Sequence, residues 1–243
     1  HFSTGTNTAR SSSNFYALNN TIATLFEIRG VGIAKTSFKR RIKSSLAVGF
    51  SYLKTAYENS NFIFNQIEIA NNYSNDIVLD HKRTTSIETI KAIDIESNEL
   101  IDFSTTMHSS KKSIATFLRE RPIAYIIKKN NYGFIEKLND VGVNYVELEK
   151  DTMIYSGGYK VVEFNNKFKV YEKMKMQKVV TSIEYSNNKF SKGDILISMN
   201  QKRSNLIAEL LEPEAPNSYV SFGIIKTSLN NQLPIYRIKN FNN

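Results

Sequence analysis

The sequence predicts an α/β protein in which a short α/β unit, residues 1–60, is followed by a sheet-rich α+β unit, residues 61–243. Three observations carry that expectation. Apolar residues recur at three- and four-residue steps from Phe38 to Tyr57, a strand–helix–strand pattern occupies residues 123–148, and short β-like runs dominate residues 159–199. A chain of 243 residues can bury a sizeable core. Its 41% hydrophobic content, with 15 Phe and 13 Tyr against 10 Gly and 4 Pro, places it among folded proteins with aromatic interiors.

Taken in order, residues 1–20 are rich in Ser, Thr, Asn and Gly and read as a loop, with Ser11-Ser12-Ser13 as loop polarity rather than a serine nucleophile. Thr21 to Ile28 reads as a buried strand ending in a turn at Gly30. Thr36 to Tyr57 reads as a helix capped by Thr36 or Ser37. Its face away from Phe38, Ile42, Leu46, Phe50, Leu53 and Tyr57 carries Lys39, Arg40, Lys43 and Lys54, as in a helix laid on a sheet. The Asn-rich stretch from Asn59 to Asn75 marks the change of unit, near residue 60. Beyond it, short strands are expected at Ile77-Val78-Leu79 and Ile90 to Ile95.

Ile123 to Ile127, Tyr132 to Val141 and Val143 to Leu148 form a compact βαβ unit, with Gly142 stopping the helix and a right-handed parallel crossover. Gly157-Gly158 reads as a tight turn. Asn165-Asn166 reads as a hairpin turn between Tyr159–Phe164 and Lys167–Lys173, and Val179–Tyr185 and Asp194–Met199 extend the sheet. A helix from Ser204 to Leu211, ended by Pro213, precedes a final strand at Tyr219 to Ile225.

The net charge of +9 arises from 32 Lys and Arg against 23 Asp and Glu, which favours polyanionic partners in general. The basic residues are scattered, however. The densest groups, Lys39-Arg40-Arg41 and Lys167 to Lys178, fall at a helix start and along a strand pattern, so solvated faces are expected and no specific nucleic-acid partner is. Without cysteine there is neither a disulfide nor a thiol nucleophile, and either redox compartment is open. No run approaches the roughly eighteen apolar residues of a spanning helix. No signal peptide is visible at the start, which leaves localisation undecided, with a periplasmic or secreted protein among the options.

Glu27 is the one residue that the pattern makes conspicuous. It places a carboxylate among Leu25, Phe26 and Ile28, where it is either paired, with Arg29 two residues on emerging from the same face, or kept for general-base work. The strand pattern alone favours pairing. His81 and His108 sit in polar, basic surroundings and read as exposed loop histidines.

Ser12 to Leu18, the Thr24-Leu25-Phe26-Glu27-Ile28-Arg29-Gly30 run, and Thr36 to Arg41 follow one another in an order that resembles the zinc carboxypeptidase family, carboxypeptidase A-like metallopeptidases. Two further runs resemble the C-terminal region of bacterial members: Arg121-Pro122-Ile123-Ala124-Tyr125, and Leu210-Leu211-Glu212-Pro213-Glu214-Ala215-Pro216-Asn217-Ser218-Tyr219-Val220-Ser221-Phe222-Gly223.

The resemblance implies a C-terminal fragment of a zinc carboxypeptidase-like mixed-sheet domain over residues 1–60, followed by an accessory domain over residues 61–243. It gives Glu27 the role of general base toward zinc-bound water. It makes Arg10 and Tyr16 weak matches for groups that hold a substrate carboxylate, and it makes the substrate a peptide, a cell-wall peptide being one candidate. It also implies a zinc ion held by a His followed three residues later by Glu and by a further His. Here His81 is followed at that distance by Thr84 and His108 by Lys111, there is no cysteine, and His1 is not assigned, so no metal ligand is expected within this chain and the chain alone is expected to be inactive. The alternative is a non-catalytic binding module, in which residues 61–243 contact a protein or an anionic polymer.

Overall fold

The continuous apolar run after Pro122 behaves as a central strand should: Ala124, Tyr125, Ile126 and Ile127 are all fully buried. The computed structural model describes residues 1–28, 32, 34–129 and 132–240, and among them the chain is a mixed α/β protein with two sheets and five helices. The elements are β1 (Phe2–Thr4), α1 (Ser12–Leu18), α2 (Ala34–Glu58), α3 (Ser60–Asn71), β2 (Ile77–Ile93), β3 (Leu100–Arg119), β4 (Ala124–Ile127), α4 (Tyr132–Asp140), β5 (Val146–Glu147), β6 (Thr152–Tyr171), β7 (Met174–Phe190), β8 (Ile195–Ser198), α5 (Ser204–Leu211) and β9 (Gln232–Ile238).

The larger sheet has the order β5-β8-β4-β9-β6-β7, and every pairing in it is antiparallel. Strand alternation divides β4 between two cores. Tyr125 and Ile127 join Phe134, Ile135 and Leu138 of α4 and Ile207, Ala208 and Leu211 of α5. Ala124 and Ile126 face Phe190, Tyr236 and Ile238, where the Phe190 and Tyr236 rings meet edge to face at 5.1 Å. Each fully buried Ile or Leu contributes about 1.5–3 kcal/mol relative to exposure, so this two-sided burial makes β4 the anchor of the fold. The smaller sheet, β1-β3-β2, is a long hairpin with β1 added in parallel along β3. At its root Ile77 and Leu79 enter the main core.

The helix expected over Thr36–Tyr57 is α2, and that over Ser204–Leu211 is α5. Other elements depart from the sequence reading, each for a local reason. The polar stretch after Asn59 becomes α3, because Ile63 and Ile67 recur at helical spacing and line a cleft shared with α2. The short bursts between residues 76 and 118 merge into β2 and β3, which pair along almost their whole length. Instead of adjoining one another, β4 and β5 lie on either side of β8, so the expected βαβ unit is split by a strand from later in the chain.

The expected hairpin turn at Asn165-Asn166 lies within β6, at a register irregularity between Asn165 and Lys169. The actual turn is Glu172-Lys173, both at positive φ (47° and 68°), as a tight two-residue hairpin requires. Gly157-Gly158 is likewise mid-strand. A Cβ on Gly157 would stand 2.7 Å from Ile183 Cγ2 and 2.8 Å from the Tyr185 ring, so the glycine serves close cross-strand packing.

Tyr219–Ile225 forms turns, and the final strand is β9. The serine hydroxyls there capture the backbone: Ser218 Oγ accepts from Ser221 N at 3.0 Å and donates to Pro213 O at 3.0 Å, while Ser221 Oγ donates to Ala215 O at 2.7 Å. Residues 1–20 hold β1 and α1, and β1 is hydrogen-bonded to β3.

Candidate functional site

The segment carrying Glu27 is not a strand. Residues 21–28 have no regular structure, and Glu27 is exposed rather than sealed among apolar neighbours. No strand among the described residues pairs with this segment, and an unpaired buried backbone would be costly, so it runs over the surface. What holds it is its apolar side chains. The Phe26 ring meets Tyr52 of α2 edge to face at 5.6 Å, and Ile22 and Phe26 line an apolar cleft of about 760 Å3 closed by Val48, Tyr52, Ile63 and Ile67. The expected pairing with Arg29 and the turn at Gly30 fall outside the described residues.

The apolar stripe of α2 is also placed differently from its reading as a helix laid on a sheet. Phe38, Ile42, Leu46 and Leu53 are exposed, Phe50 is 64% exposed and Tyr57 83% exposed.

Arg10 is held against residues from the later part of the chain. Its guanidinium lies 3.5 Å above the Tyr171 ring and 4.9 Å from that of Phe222, and its Nε donates to Asn217 Oδ1 at 2.9 Å. Tyr16 is exposed on α1, with its ring 5.8 Å from that of Phe15.

The histidines expected on exposed loops are on strands and half-buried, His81 on β2 and His108 on β3; Thr85 Oγ1 lies 3.1 Å from His108 Nδ1. His1 and His108 meet edge to face at 5.6 Å. Among the described residues no three His, Asp or Glu side chains converge as a metal-ligand set. The described residues therefore do not by themselves fit a resident zinc.

The run Leu210-Leu211-Glu212-Pro213-Glu214 builds the most charged interior feature. Glu212, 0% exposed, ends α5 and is turned into the core, because Pro213 stops the helix just after it. Its carboxylate accepts from Tyr125 Oη at 2.5 Å, from Tyr159 Oη at 2.9 Å and from Arg119 Nη1 at 2.6 Å, and Arg237 Nη1 stands 4.0 Å away. Glu214 shares Arg119 at 2.8 Å and accepts from Thr181 N and Oγ1 at 2.8 and 2.6 Å.

Burial alone would lower the proton affinity of Arg119, but the two carboxylates reverse this and raise it above the usual arginine value. Burial first, and then the Glu212 charge, push both tyrosine hydroxyls far above their normal range, so they stay protonated donors. The network ties the end of β3 to α5, β4 and β6. Glu212, Tyr125 and Tyr159 are fully buried and the Glu212 carboxylate accepts three hydrogen bonds, so the network works as an internal clamp.

The sequence reading singled out Glu212 and Glu214 as a motif but not Arg119, Tyr159 or Arg237. The available signal was two carboxylates directly after an apolar helix, since buried charges are found paired.

Over nearly its whole length the chain is similar to proteins named Carboxypeptidase 2. That of Trichophyton equinum is 30% identical over 240 residues, 95% of this chain and 44% of the relative. That of Trichophyton rubrum matches to the same extent, and that of Trichophyton tonsurans is 29% identical over 235 residues, with the same coverage. The chain thus spans less than half the length of these relatives, and they are fungal rather than bacterial. No protein-family profile matches the chain, and no solved structure matches it.

Proposed function

We propose that this chain is the C-terminal part of a zinc-dependent carboxypeptidase that removes a residue from the C-terminus of a peptide, with Glu27 as general base. In this reading residues 1–60 complete a catalytic domain and residues 61–243 form an accessory domain. The likeness to carboxypeptidases, which runs through both parts, supports a peptidase-related role.

The observation that carries the finer reading is the setting of Glu27. Its carboxylate is exposed, and it is anchored by the adjacent Phe26 at an open apolar cleft. A general base must meet water and substrate, which a paired core charge does not. Just beyond it, the exposed apolar stripe of α2 is the kind of surface that further protein normally covers, consistent with a domain shared with additional chain.

The chemistry assigned to Glu27 is proton traffic. Its carboxylate takes a proton from the water that attacks the peptide carbonyl and delivers it to the departing amine, so that one residue serves both halves of the reaction. The zinc that the likeness implies would need ligands other than the described residues of this chain, and no step is assigned to it. Arg10 and Tyr16 are the proposed contacts for the substrate carboxylate; Arg10 stacks on Tyr171 and its Nε donates to Asn217.

The experiment is to offer the full-length gene product a pair of peptides differing only in a free or amidated C-terminus, and to follow the products by mass spectrometry. Loss of a single residue from the free peptide only, abolished by a zinc chelator, supports the reading. Internal cleavage, or no cleavage by zinc-replete protein, contradicts it.

A further inference from the structure

We propose that a second cleft, between the N-terminal segment, the root of the β2–β3 hairpin and the tip of the β6–β7 hairpin, is a binding site for an acidic peptide segment. It has a volume of about 910 Å3 and is bordered by Thr6–Arg10, α1, β2, β3, β6 and β7.

Three cations, Arg10, Arg83 and Lys169, reach it from three separate segments, and among the described residues none of them makes an ion pair. Among the described residues the one carboxylate on its lining is Glu209. Burial raises the proton affinity of Glu209, and the nearby Asp80 adds to this, against two hydrogen bonds from Asn217. Three cations face this single lining carboxylate, so the cleft is net positive, which favours an incoming anion.

Arg10 is also pre-oriented. Stacking on Tyr171 and the bond from Nε to Asn217 fix the plane of the guanidinium, while its two Nη groups make no hydrogen bond within the described protein. A fixed fork of this kind pairs well with carboxylates. The volume, and the apolar wall of Leu79 and Met176, suit several peptide residues rather than a lone inorganic anion. Of the residues given to the peptidase reading only Arg10 lies on this cleft, and neither Glu27 nor Tyr16 does, so the test leaves Arg10 unchanged and reads binding through Arg83 and Lys169.

The test is fluorescence anisotropy of a labelled tetraglutamate peptide with this chain, with tetraglutamine and inorganic phosphate as competitors. The double reversal Arg83→Glu with Lys169→Glu is expected to weaken binding about tenfold or more. The control reversal Lys39→Glu with Lys43→Glu, which changes net charge equally on the exposed helix α2, should alter it by no more than about twofold. Circular dichroism establishes that both variants fold. Absence of binding, equal weakening in the two variants, or displacement by phosphate or tetraglutamine as effective as by unlabelled tetraglutamate would each overturn the proposal.

Discussion

Replacing Arg119 by methionine tests the internal clamp. The substitution keeps most of the side-chain volume and removes what is, among the described residues, the only cation within 3 Å of the Glu212 carboxylate, leaving Arg237 at 4.0 Å and the two tyrosine hydroxyls. Both carboxylates that Arg119 bridges are nearly or wholly buried, so solvent cannot replace it. Breaking a buried pair from one side costs about 3–5 kcal/mol. For a chain of this size that corresponds to a fall in Tm of about 6–20 °C.

Because the chain has 13 Tyr and no Trp, urea unfolding can be followed by tyrosine fluorescence alongside far-ultraviolet circular dichroism. Adding Glu212→Gln to Arg119→Met removes the stranded charge. The double variant should therefore be more stable than the sum of the single changes predicts, by about 1–3 kcal/mol. A loss below about 1 kcal/mol for Arg119→Met, the value of an exposed pair, or strict additivity in the double variant, would refute the clamp.

Two further perturbations follow from the packing. Gly157→Ala forces a methyl group against Ile183 and Tyr185 across the β6–β7 pair and should cost about 1–3 kcal/mol in a urea titration; a neutral result would mean that the strands separate freely there. Glu209→Gln should stabilise the protein at pH 7. Burial holds the folded-state proton affinity of Glu209 above the usual carboxyl value of 4.5, so its contribution is most favourable at pH below that value and is lost as pH rises through the raised one. The glutamine oxygen can still accept from Asn217, and a Tm rise of a few degrees at pH 7 that disappears near pH 4 is the expected outcome in thermal melts.

The parts of the fold legible in the sequence were those whose pattern is local and strong. Phe38 to Tyr57 could be read as a helix from spacing alone, and Ile123 to Ile127 as a strand from its continuous apolarity. What the sequence concealed depended on partners. The segment at residues 21–28 has the composition of a strand but no pairing edge among the described residues. Tyr219 to Ile225 loses to serine hydroxyls that bind the backbone first. The βαβ reading failed in adjacency, because β8, which separates β4 from β5, follows both by many residues, and its second strand shortens to Val146–Glu147.

The same distinction holds for the sites. Glu27 was visible as a carboxylate in an apolar run, whereas Arg119, Tyr125 and Tyr159 join Glu212 across 93, 87 and 53 residues, distances at which spacing carries no signal. The positive cleft is hidden for the same reason, since its three cations come from three different segments.

The most direct measurement for the central claim is the steady-state kinetics of Glu27→Gln in the full-length protein, with zinc content and circular dichroism determined on the same samples. Loss of a general base predicts a fall in kcat of about 10²–10⁴-fold with KM, zinc content and fold little changed. A variant that keeps its kcat would show that Glu27 carries no proton in the reaction, and the catalytic assignment would fall with it.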